Sequence, residues 1–173
     1  FKLSDEDYKQ IRKLLDVLAE EESPEAMHCL AMIYAEGLGV KKDYTKAFRW
    51  YSQAAELGEM ESQYNLGCMY TFGEGVKEDH TQAFKWYKKA ADQGHALSQY
   101  CLGMMYEIGD GVLQDKKMAA EWFEKAANQG FVEAVFELGI LYLKGEGVPQ
   151  DYKKAHDLFK KAADHNDANG QYG

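Results

Sequence analysis

Apolar residues recur along the chain at helical intervals, and glycines interrupt them at regular points. Between Glu61 and Phe72, the residues Ser62, Leu66, Gly67 and Tyr70 fall on one face of a helix. Gly73 suits a left-handed cap at its end, and Gly75 permits the tight turn that follows. Asp79 is placed to accept hydrogen bonds from the open backbone N–H groups of a second helix. That helix buries Ala83, Phe84, Trp86, Tyr87, Ala90 and Ala91, and Gly94 ends it. No alternating strand pattern competes.

The unit repeats with a period of 36 residues. Leu30, Leu66, Leu102 and Leu138 share one column, Tyr34, Tyr70, Tyr106 and Tyr142 another, and Asp43, Asp79, Asp115 and Asp151 a third. Fourteen of the sixteen glycines fall in four columns, which begin at Gly37, Gly39, Gly58 and Gly67. Asn166 stands in the Gly58 column and Ala31 in the Gly67 column. Ser23-Pro24 reads as an N-cap followed by proline at the first helical position. The expected division is a degenerate half repeat over 1–22, repeats at 23–58, 59–94, 95–130 and 131–166, and the start of a fifth at 167–173. The last segment stops inside a first helix, so the natural chain is expected to continue. One helix pair cannot bury both of its apolar stripes, so the expected class is all-α, a solenoid of stacked pairs.

The columns A-x-x-x-L-G-x-x-Y-x-x-G-x-G-V and D-x-x-x-A-x-x-W-Y-x-x-A-A-x-x-G resemble the Sel1-like repeat family. Residues 23–165 carry the resemblance, which implies a right-handed α/α superhelix related to tetratricopeptide arrays. It also implies a non-catalytic scaffold or adaptor, since such proteins, many of them bacterial, mostly bind other proteins. One branch, the cysteine-rich proteins of Helicobacter, is linked with β-lactam binding and hydrolysis. In that branch a disulfide joins the second alanine column to a site eight residues on. Here those positions are Ala55 and Gln63, Ala91 and Gln99, and Ala127 and Val135, which argues against a β-lactam enzyme.

By resemblance to tetratricopeptide geometry, the first helices line a concave groove for a protein or peptide. The ladder His28, Tyr64, Tyr100, Phe136 and Tyr172 would lie along it, flanked by Met32, Cys68, Met104 and Ile140, then Phe72 and Ile108, with Leu97 near the entrance. Glu25, Glu36, Glu61, Glu107 and Glu133 would rim it. An apolar strip with a charged rim suits peptide docking. The alternative is that the ladder is repeat packing. Second-helix outer positions such as Lys85, Lys89 and Asp92 are polar and read as a solvated face.

Charge narrows the partner. Acids number 29 against 20 bases, giving a net charge of -9. This argues against a nucleic-acid binder, which would normally carry a basic stripe, and favours a partner with basic residues. An inhibitor or immunity protein that occludes a cognate toxin or enzyme is the second reading. No apolar run is long enough to insert in a bilayer. His28, His80, His95, His156 and His165 fall in different columns, and Cys29, Cys68 and Cys101 lack metal-ligand spacing. No catalytic set, metal or cofactor is expected. The chain opens at Phe1, so both a cytoplasmic and an exported location stay open, as does the oligomeric state.

Overall fold

The computed structural model describes the backbone of residues 3–170 and the side chains of residues 3–164. Nine helices and no strand occur among the described residues: α1 (Asp5–Glu20), α2 (Pro24–Glu36), α3 (Tyr44–Glu56), α4 (Met60–Phe72), α5 (His80–Asp92), α6 (Ala96–Ile108), α7 (Lys116–Asn128), α8 (Val132–Lys144) and α9 (Tyr152–Gly170). The chain forms two compact units, the first up to Ala90 and the second from Ala91.

The linkers inside each pair are built alike. Gly37, Gly73, Gly109 and Gly145 end the first helices in the left-handed conformation, at φ between 67° and 78°. The aspartate that follows works twice. Its carboxylate accepts from the first turn of the second helix, as Asp43 does from Lys46 N at 3.0 Å and Asp151 from Lys154 N at 2.9 Å. Its own N–H donates back to the tyrosine column, from Asp43 to Tyr34 O and from Asp115 to Tyr106 O, both at 2.9 Å. Cap and turn therefore share one residue, and the linker has no spare backbone group there.

In the first unit, Leu30, Met27 and Ala26 of α2 bury against Ala19 of α1 and Ala54 of α3, with Leu15 and Trp50 at the margin. A neighbouring cluster joins Ala31, Ala47, Tyr51 and Met69. In the second unit, Phe123 and the small residues of α7 pack with Ala134, Val135, Leu138 and Leu141 of α8 and Ala162 of α9. Buried glutamines tie successive pairs: Gln63 Nε2 donates to Ala55 O at 3.1 Å and Gln99 Nε2 to Ala91 O at 3.2 Å. These are the positions at which the resemblance put a disulfide in the cysteine-rich branch. Val135, at the third such position, is 2% exposed and lies in the same core as Ala127.

Two glycine columns set the closeness of packing. A Cβ on Gly67 would stand 2.6 Å from the Tyr87 ring, and one on Gly139 would stand 2.8 Å from the Phe159 ring. Gly103 faces Phe123 more tightly still. Gly75 and Gly147 meet the backbone of the preceding second helix, at Tyr44 and Lys116 respectively.

The ends depart from the repeat in opposite ways. Gly58, Gly94 and Gly130 turn the chain at φ of 95°, 100° and 85°, and Glu22, one period earlier, is held at φ 59°. A side chain there costs about 1–2 kcal/mol relative to the right-handed region. At the other end α9 runs as one helix from Tyr152 to Gly170.

Two outcomes follow for stability. Glu22→Gly should raise it by about 0.5–1 kcal/mol, seen as a higher urea midpoint with an unchanged slope. Gly103→Val should lower it by about 1–3 kcal/mol through overpacking against Phe123. An unchanged midpoint in either variant would refute the corresponding assignment.

Candidate functional site

Helical spacing brings the proposed strip residues into rows four apart. In the first unit α2 carries His28 and Met32, and α4 carries Tyr64, Cys68 and Phe72. In the second unit α6 carries Leu97, Tyr100, Met104 and Ile108, and α8 carries Phe136 and Ile140. Phe72 is 71% exposed, Ile108 64%, Phe136 50% and Met32 41%. The others are half-buried. Tyr172 lies outside the described residues.

Each ladder residue rests on the aromatic of its own second helix. The ring pairs are His28 with Tyr51 at 5.5 Å, Tyr64 with Tyr87 at 5.9 Å, Tyr100 with Phe123 at 5.8 Å and Phe136 with Phe159 at 5.3 Å. These second-helix rings from Tyr87 onward are the ones that the Gly67 column admits. The ladder is thus held by repeat packing and still presents part of each ring outward.

His28 takes a special place in the ladder. Its Nδ1 lies 2.9 Å from Ser62 Oγ and 3.2 Å from Glu59 Oε2, and Glu59 also caps α4 by accepting from Glu61 N and Ser62 N. A serine, a histidine and a carboxylate together suggest a nucleophile relay. Both partners, however, meet the same ring nitrogen, whereas a relay needs one on each. Ser62 is also fully buried. The cluster is a cap and a bridge between α2 and α4.

Cys68 is equally occupied: the Tyr87 hydroxyl donates to its Sγ at 3.4 Å and lies 3.1 Å from Thr71 Oγ1. Burial, then the nearby carboxylates of Glu36 and Glu59, pushes the Tyr51 hydroxyl well above the usual tyrosine range. Among the described residues no group of three His, Cys, Asp or Glu side chains is placed to hold a metal ion. No described helix is long and apolar enough to cross a membrane.

The rim divides. Glu25, Glu36, Glu61 and Glu133 are exposed. Glu107 is instead taken up by Lys116 at 3.5 Å, and Lys116 reaches Glu146 at 3.0 Å. The hydrogen bond to Glu146 holds Lys116 above the usual lysine range.

Sequence reasoning missed three residues of this region. Phe131, at the N-cap of α8, makes no side-chain cap and stacks on Tyr100 at 5.1 Å. Val132 and Glu137 line a cleft of about 270 Å3 with Tyr100, Glu133, Phe136 and Ala162. Glu137 shares a column with Cys29, Asn65 and Cys101, and that inconstancy was the available signal. A larger concavity, about 820 Å3, lies elsewhere, among Arg12, Asp16, Lys41, Lys42 and Lys46.

The face opposite the strip satisfies itself. Lys89 stands 4.0 Å over the Trp86 ring and Lys125 3.7 Å over that of Trp122, so those cations already have partners.

Comparison with known proteins decides the family. The Sel1 repeat profile matches residues 24–59, 61–95, 96–131 and 132–167. The chain belongs to the Sel1 repeat family. Its fold class is accordingly the all-α solenoid of Sel1 helix pairs, the class of its structural relatives. A protective antigen of uropathogenic Escherichia coli with an SLR fold superposes with a TM-score of 0.86 at 40% identity, over 89% of this chain and 33% of that one. A Sel1 repeat protein from Oxalobacter formigenes superposes at 0.80 and 31% identity, over 89% of this chain and 63% of that one. The chain therefore spans a third of the first relative and under two thirds of the second. An immunity protein from Pseudomonas aeruginosa gives 0.56 at 26% identity, over 90% of this chain and 56% of that one. No curated protein matches significantly. Sel1 repeats mediate protein–protein interaction, and the fold is usually non-catalytic.

Burial raises the Glu137 carboxyl above the usual glutamate range; Glu107 adds to this and Lys144 partly opposes it. The folded protein then holds that proton more tightly than the unfolded chain does. The associated stability is present below the unfolded pKa and is lost as pH rises through the folded one. Glu137→Gln should therefore have a higher denaturation midpoint than wild type at pH 7, with the gap closing near about pH 4. A gap that widens on acidification would contradict the sign.

Proposed function

We propose that the chain is a non-catalytic interaction module that binds a partner protein or peptide on the apolar face of its first helices. The observation that carries this is the exposure of Met32 and Phe72 on the first helices of the first unit and of Ile108 and Phe136 on those of the second, each next to half-buried aromatic or sulfur-containing neighbours. Large apolar side chains exposed in rows cost solubility without helping the core. Aromatic and methionine contacts supply the anchors from which protein interfaces draw most of their energy. The rim glutamates and the net charge of -9 favour a partner with a basic surface.

A second reading has its own support: the partner is a toxin or enzyme that this chain occludes. Immunity proteins stand among its structural relatives at 26% identity, and an acidic surface suits capture of a basic active site. The two readings differ in kinetics. An occluding inhibitor should associate at a rate that falls steeply with salt, whereas an adaptor docked through apolar anchors should associate at a nearly salt-independent rate.

The site is tested by replacing Phe72, Ile108 and Phe136 with glutamine together. Their exposure predicts retained helicity and a melting temperature within a few degrees of wild type. Partner capture, compared quantitatively by mass spectrometry, should fall by at least about tenfold. Equal capture by both proteins would remove the first-helix face from consideration.

A further inference from the structure

The cleft bounded by Tyr100, Val132, Phe136 and Ala162 has a chemistry that the apolar strip as a whole does not. Its volume, about 270 Å3, is below that of most small-molecule sites and suits one long side chain. Two rings form its walls. Tyr100 is fixed from behind by Phe123 and Phe131, at 5.8 and 5.1 Å, so its orientation is set before any ligand arrives. Phe136, resting on Phe159, leaves half of its surface to solvent.

Two carboxylates share the cleft, those of Glu133 and Glu137. Among the described residues neither makes a side-chain hydrogen bond or an ion pair. The cations that could have served them are engaged or remote. Lys116 is held between Glu107 and Glu146, and Lys144 influences Glu137 without forming an ion pair with it. A half-buried carboxylate beside a second acid, with no ion-pair partner among the described residues, is unfavourable in the free protein. A cation entering the cleft would relieve that cost.

The walls choose between the two basic side chains. An ammonium group is a strongly hydrated point charge, which loses its water shell on entering an aromatic slot. A guanidinium group is flat, weakly hydrated, stacks on rings and donates to two carboxylates at once. We infer that this cleft receives an arginine side chain of the partner protein, stacked on Tyr100 and Phe136 and hydrogen-bonded to Glu133 and Glu137. The inference rests on the reading that the first-helix face binds protein.

Phage-displayed random dodecapeptides selected on the immobilised full chain provide the test. The enriched peptides should contain arginine. Replacing it with citrulline, its uncharged isostere, should weaken the synthetic peptide by about tenfold or more, and lysine should fall between the two. Glu137→Gln should cause a similar loss while the variant melts no lower than wild type, which separates lost binding from lost structure. Peptides without arginine, or citrulline and Glu137→Gln affinities equal to those of the parents, would overturn the assignment. In that case Phe136→Ala locates the failure. If binding is lost, the apolar face stands and only the arginine is wrong. Unaffected binding, or no enrichment at all, overturns both.

Discussion

Close approach of helices in this protein depends on the absence of a single carbon atom. Where Gly67, Gly103 and Gly139 stand, any Cβ would enter the ring of Tyr87, Phe123 or Phe159. With only hydrogen there, an aromatic from the second helix lies flat against the backbone of the first. Much of the remaining packing is referred to that contact. The seated ring becomes the platform for the ladder residue, so the position of Tyr64, Tyr100 or Phe136 is inherited from a glycine three residues further along the same helix. The first pair solves the problem differently, with Ala31 fully buried beside a buried Tyr51.

Surface chemistry follows from the same seating. Second helices turn aromatics such as Tyr51, Tyr87 and Phe123 inward, and Lys89 and Lys125 lie over the ring faces of Trp86 and Trp122. First helices bury one set of leucines and methionines, such as Leu66, Met69, Leu102 and Met105, and leave a second set, Met32, Phe72, Ile108 and Phe136, exposed. The proposed interaction surface would thus arise as a by-product of packing: the side chains that the core leaves exposed are the ones available to a partner. Glu137 is the exception, since burial holds its carboxyl above the usual glutamate range, and a residue that is unfavourable to the free fold fits the proposed role in recognition.

Most of the architecture was legible in the sequence because glycine and aspartate columns report backbone requirements that few other residues meet. Gly73 had to be left-handed and Asp79 had to be a cap, and the 36-residue spacing multiplied each of those arguments by four. Legibility fell where a column changes identity. The first-helix N-caps are Ser23, Glu59, His95 and Phe131, and no single pattern shows that three of them cap through side chains and one stacks on a tyrosine. The column of Cys29, Asn65, Cys101 and Glu137 is hidden for the same reason. Pairings across long separations, such as Lys116 with Glu146, depend on how neighbouring pairs sit and leave no local trace.

The placement of the tryptophans has a practical side. Trp50, Trp86 and Trp122 all occupy one column of the second helices, while the proposed strip is built from tyrosine, phenylalanine and methionine. Indole emission will therefore follow the integrity of three successive helix pairs and stay nearly blind to an occupant on the first helices. The tyrosines that line the strip are the optical probes of binding. Tryptophan emission is thus a readout of folding that an occupant of the proposed strip would leave largely unchanged.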